Sequence, residues 1–199
     1  MVTGILYNQL NAQSKGGIEQ YNYFNNSGMS TIMPVVHIES KTGWYSEVRY
    51  NYEETKTFSL YAGKSFSKNG FLSGSITPML GALVGNLKGG AAAVNVDIEC
   101  KRFFLSSLPE FVVSMDGVNK NFFYNWSELG YNIRNWIYAG VSLQQTVTGP
   151  DKETQTGVMM GFRVKKFTFP VYFFDPLKQT QYIILGINWE WNKIKKQDL

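Results

Sequence analysis

The chain has 199 residues, of which 16% are aromatic and only 17% charged, with 19 glycines and a formal net charge of +4. Soluble domains carry about 25% charged residues, so something other than water covers much of this surface. No apolar run approaches the roughly 18 residues of a membrane helix, which excludes a helical membrane protein and leaves a closed barrel of strands as the way to satisfy the backbone in hydrocarbon.

In chain order, Met1 to Lys15 is a spare N-terminal segment. It lacks the basic start and long apolar stretch of a signal peptide, and it is placed in the periplasm or as a plug in a lumen. A weak strand over 17–24 follows. Strands marked by period-two alternation are then predicted near 30–39, 43–53, 56–67, 71–85, 89–101, 103–115, 121–132, 136–147, 155–164, 167–174 and 181–191. Lengths near ten suit tilted membrane strands, and the even strand numbers of single-chain bacterial barrels favour counting the weak one, giving an all-β, closed antiparallel transmembrane barrel of about twelve strands over 16–192. A basic tail, 193–199, ends the chain.

Parity assigns the faces. In 44–53, Trp44, Ser46, Val48, Tyr50 and Tyr52 oppose Tyr45, Glu47, Arg49, Asn51 and Glu53, and similar alternation runs through 92–101 and 182–191. Val48, Leu60, Ile76, Val96, Val141, Val164 and Leu185 are expected to face lipid. The charges on the polar parity, Glu39, Glu47, Arg49, Asp97, Glu99, Lys101, Glu128, Arg163 and Glu190, are expected to point into the lumen as a network, with Glu47 beside Arg49 and Glu99 beside Lys101. Four prolines inside strands, Pro34, Pro78, Pro109 and Pro170, forfeit ladder hydrogen bonds and are expected at bulges.

The connections alternate. Those at Lys41-Thr42, Lys68-Asn69, Lys101-Arg102, Arg134-Asn135 and Lys165-Lys166 are very short, as periplasmic turns are. Those near 25–28, 86–88, 116–120, 148–153 and 175–180 are mostly longer. This orientation places Trp44, Trp136, Trp189 and Trp191 in an aromatic girdle at the short-turn end, and Tyr50, Tyr52, Phe122 and Phe173 in a second at the other end. The short-turn rim is also strongly basic, a surface for anionic lipid headgroups or an acidic partner. The bilayer and lipopolysaccharide are the expected surroundings, with a further outer-membrane or periplasmic protein as a partner. Nucleic-acid binding is unsupported, because the basic residues are interleaved with membrane-anchoring aromatics.

The runs 43–53, 57–63 and 123–131 resemble those of small outer-membrane barrels of Bacteroidetes-type bacteria, over most of residues 29–192. The resemblance implies a barrel with structural and not catalytic motifs. Residues 182–191 resemble the C-terminal recognition strand of outer-membrane proteins, departing from it in the basic tail.

A catalytic site finds little support. His37 is the only histidine; it shares the inward face with Glu39 and is read as an ordinary lumen residue. Scattered carboxylates give no metal-ligand spacing, and Cys100, the single cysteine, gives neither a disulfide nor a CxxC motif. No cofactor, metal or enzymatic activity is expected. The functional expectation is a passive pore for small solutes with a partly closed, charged lumen, against the alternative of a non-conducting accessory subunit of a larger outer-membrane complex.

Overall fold

Alternating faces and short turns carry through to the architecture. The computed structural model describes residues 14–25, 28, 30–117 and 120–191; the N-terminal segment up to residue 13 and the basic tail lie outside the described residues. The strands are β1 (Lys15–Asn25), β2 (Ser30–Glu39), β3 (Trp44–Tyr50), β4 (Thr57–Lys64), β5 (Phe66–Lys68), β6 (Leu72–Gly85), β7 (Gly89–Cys100), β8 (Phe103–Ser114), β9 (Phe122–Arg134), β10 (Ile137–Thr148), β11 (Asp151–Val164), β12 (Phe167–Phe174) and β13 (Tyr182–Trp191). Neighbours pair antiparallel throughout. β1 pairs with β13, and β4 and β5 both pair with β6, so these two are one stave with a gap and twelve staves close without an edge. The weak first strand is real and, at 11 residues, longer than its sequence pattern suggested.

Two stave boundaries differ by three residues or more from those predicted. β3 stops at Tyr50 because Asn51 takes φ 58°, which ends the alternation. β11 begins at Asp151, so the connection near 148–153 is a two-residue turn, Gly149-Pro150, with Gly149 at φ 56°.

The prolines mark gaps and not bulges. Pro78 faces the break between β4 and β5, Pro109 a gap in the β7–β8 ladder and Pro170 one in β12–β13, while Pro34 lies just beyond the last β2–β3 pair. At the three gaps the same register resumes on the far side, because a missing N–H removes a hydrogen bond without adding a residue. The only register shift among the described strands is at Ile137/Tyr138.

The outward face is apolar. Val48, Leu60, Ile76, Val141, Val164 and Leu185 are exposed, Val96 is half-buried, and Trp44, Trp136 and Trp189 stand exposed at the short-turn end. This apolar belt is the lipid-facing surface of a transmembrane barrel. Val141→Arg is expected to destabilise the folded state by about 2–4 kcal/mol, the cost of an arginine near the bilayer midplane; equilibrium refolding into vesicles measures it, and an unchanged folding free energy would contradict the face assignment.

Inside, buried side chains fill most of the half towards the longer loops and continue along the wall to Tyr45 and Tyr138, next to the short turns. One cluster joins Tyr45, Tyr61, Met79, Leu83, Leu87, Ala91, Ala93 and Val112; a second joins Trp126, Tyr138, Met159, Tyr172, Phe174 and Ile184. Large rings fit because glycines lie across from them: a Cβ at Gly130 would overlap the Phe104 ring, at Gly161 the Tyr138 ring and at Gly81 the Tyr61 ring.

The β12–β13 loop is pinned by Asp175, which accepts from Lys178 Nζ at 2.8 Å and Thr180 Oγ1 at 3.1 Å while its N–H donates to Thr156 O at 2.8 Å. Burial alone would raise its carboxyl, but the Lys178 and Thr180 donors outweigh that and hold it below the usual value. A lowered pKa contributes stability above the unfolded value that is lost as pH falls through the folded one. Amide exchange in this loop is therefore expected to be protected at neutral pH and to quicken only below the ordinary aspartate value, about 3.9; protection that already fails near pH 5 would show that Asp175 is not the anchor.

Candidate functional site

The polar inward face of the other half encloses a vestibule of about 2050 Å³ that opens at the short-turn rim. All nine lumen charges expected from parity line it: Glu39, Glu47, Arg49, Asp97, Glu99, Lys101, Glu128, Arg163 and Glu190. Glu19 lines it too, on a first strand whose weak alternation gives no sign of its face. Lys15, Lys101, Arg102, Arg134, Lys165 and Lys166 belong to the mouth, where Lys15 Nζ meets Glu39 Oε1 at 3.3 Å. Carboxylates line the interior. Acids stand at the mouth as well, Glu39, Glu99 and Glu190, while Glu19, Glu47, Asp97 and Glu128 lie deeper, towards Arg49.

Individual side chains are held by their strands. His37 lies inside as expected, its Nδ1 3.5 Å from Glu19 Oε1, and Glu19 also accepts from Tyr21 OH at 2.6 Å. Arg163 donates to Asn132 Oδ1 at 2.7 Å and lies 4.4 Å over the Tyr138 ring. Lys101 takes φ 53° in its turn, and its Nζ stands 5.5 Å over the Phe71 ring.

The vestibule ends at a septum built around Arg49, whose side chain is 1% exposed. Its Nε donates to Glu47, itself bonded by Tyr45 OH, as parity anticipated. Its Nη1 reaches Glu53 Oε1 at 3.2 Å and Glu110 Oε2 at 2.6 Å. The guanidinium lies 4.6 Å from the Tyr52 ring centroid and 4.2 Å from that of Tyr61. Glu53 also accepts from Tyr61 OH at 2.9 Å and from Ser59 Oγ. Three carboxylates therefore converge on one guanidinium and join β3, the β3–β4 loop and β8. Glu53 and Glu110 were absent from the expected network: Glu53 stands on the polar parity of 43–53 but is carried by the β3–β4 loop, beyond the end of the strand, and Glu110 is a single acid in the largely apolar run of β8.

Two of the eight girdle residues are corrected. Tyr52 turns inward after Asn51 and packs against Arg49 and, edge to face, against Tyr124 at 5.9 Å. Phe122 packs against the first interior cluster, leaving its neighbour Phe123 on the outward parity. Tyr50 keeps its outward place, its ring 4.4 Å from Phe58, and Phe173 is half-buried on the outward parity of β12. Trp191 is half-buried, 5.3 Å from Trp189, and forms part of the vestibule mouth.

No protein-family profile matches the chain, and no curated protein does. Among solved structures, the KdgM porin superposes with a TM-score of 0.67 at 10% identity, over 88% of this chain and 99% of that one. KdgM in complex with disordered oligogalacturonate gives 0.65 at 9% identity, over 89% and 99%. The NanC porin gives 0.56 at 6% identity, over 90% and 100%. The shared property is the outer-membrane porin fold.

Proposed function

We propose that this barrel is a passive outer-membrane pore for small solutes, closed at rest by the septum around Arg49. The observation that carries the reading is the vestibule: a chamber of about 2050 Å³, lined by charged and polar groups and ending on a hydrogen-bonded septum, is built for water and solutes up to that septum. A purely structural barrel gains nothing from carboxylates lining so large a space. Their predominance behind the mouth favours cations over anions, so an acidic sugar chain such as KdgM's oligogalacturonate is a poor fit to this chamber. Lipid and lipopolysaccharide would surround the belt, and the basic rim would meet anionic headgroups or an acidic periplasmic partner. No catalytic role is assigned.

The experiment is single-channel recording of the purified protein in a planar bilayer under a salt gradient. The intact chain is expected to conduct weakly, with a reversal potential on the cation side. Large steady currents at rest would refute the closed septum. The filled outer half favours a second reading, a non-conducting accessory subunit; silence from the intact chain and from variants that break the septum would establish it.

A further inference from the structure

On the far side of the septum lies a second, small cavity of about 150 Å³, walled by Tyr52, Glu53, Glu110, Phe122, Tyr124 and Thr146. Two carboxylates and three aromatic rings meet there without a basic side chain in the wall. The Glu110 side chain is fully buried; its Oε2 takes the Arg49 bond, and among the described residues its Oε1 accepts no hydrogen bond and Arg49 Nη2 donates none. Glu53 differs, since both its oxygens are engaged.

Charge counting points the same way. Arg49 faces Glu47, Glu53 and Glu110, three carboxylates against one guanidinium, all with side chains no more than 8% exposed. Burying excess charge of one sign is costly unless a counter-charge joins it. The residues in the wall discriminate between possible cations. A calcium ion takes six to eight oxygens, whereas the wall offers one free carboxylate oxygen and otherwise mostly rings. A weakly hydrated ammonium gains from ring faces as well as from a carboxylate. Size agrees, because a water occupies about 30 Å³ of liquid, so the cavity suits an ion of a few heavy atoms.

We infer that this cavity is a binding site for a small alkylated ammonium ion, held between the free oxygen of Glu110 and the rings of Tyr52, Phe122 and Tyr124. The site stands on these side chains whether or not the barrel conducts. Where it does, an assumption resting on the pore reading, the ion competes with Arg49 for Glu110 and names the solute class.

The test is calorimetric titration of folded protein in detergent micelles with choline and, separately, with its uncharged carbon isostere 3,3-dimethylbutan-1-ol. Saturable binding of choline and none of the isostere is expected. Glu110→Gln and Tyr124→Leu are each expected to weaken it about tenfold or more, the order of one lost charge-assisted or cation–π contact. Glu54→Gln, which removes an exposed acid from the same loop as Glu53, should leave it unchanged. Gel migration before and after boiling identifies folded variants. Absence of saturable choline binding, equal binding of the isostere, or full affinity in folded Glu110→Gln would overturn the site. Because no current is read, a silent bilayer with intact choline binding would sink the pore and leave the site standing.

Discussion

Arg49→Ala is expected to convert a quiet barrel into a conducting one. The guanidinium is the shared partner of Glu47, Glu53 and Glu110, so its removal leaves three buried carboxylates facing one another. Truncating one partner of a buried ion pair costs about 3–5 kcal/mol, and here the strain is relieved most easily by the loop that carries Glu53. As that loop swings away, the vestibule joins the outer cavity through a path lined by acids. Currents at least about tenfold above those of the intact chain are expected, with strong cation preference, together with a lower unfolding midpoint. Arg49→Lys keeps the charge but not the planar fork that serves three acceptors, so it should leak at an intermediate level. A folded Arg49→Ala barrel as quiet as the intact chain would show that the seal lies elsewhere.

Gly161→Val is expected to cost about 3 kcal/mol, the upper part of the usual range for overpacking. Tyr138 pairs directly with Gly161 across the β10–β11 ladder, and the ring covers the place a side chain would take. The ring has little room to retreat, since Phe104 meets it edge to face at 5.4 Å and Arg163 lies over it at 4.4 Å. Urea titration of the refolded protein measures the change. A loss below about 0.5 kcal/mol, the range of neutral surface changes, would mean that Tyr138 swings freely and that the interior is looser than its burial indicates.

Much of the barrel was legible in the sequence because a membrane strand has only two faces and each leaves a different residue type. Glu47, Asp97, Glu128 and Glu190 could be placed in the lumen from parity alone, and Trp44 and Trp136 at one interface. Parity fails where the backbone leaves the pleat. Asn51 at φ 58° breaks the pleat, so Tyr52 falls into the lumen against the pattern that precedes it, beside Glu53, which keeps the inward parity. It also gives no rule for choosing between Phe122 and Phe123 at the start of a strand. Prolines misled in another way: a lost donor interrupts one ladder, and nothing in the residue type says whether an extra residue accompanies it. The septum was half visible, as Glu47 and Arg49 two residues apart. Glu110 is 61 residues from Arg49 in the chain, a meeting fixed by barrel closure and not by any local pattern.

The one-sided vestibule has an electrical consequence. Water continuous with one bath carries that bath's potential up to the floor of the chamber, so a voltage applied across the membrane falls mainly over the thin layer between Arg49 and the opposite rim. A charge within that layer feels nearly the whole drop, worth about 2.3 kcal/mol per elementary charge per 100 mV. Glu53 and Glu110 sit there with an excess of negative charge. In the pore proposed above, opposite polarities therefore push the septum in opposite directions, one pressing Glu53 against Arg49 and the other drawing it outward, and the expected current depends on the sign of the applied field.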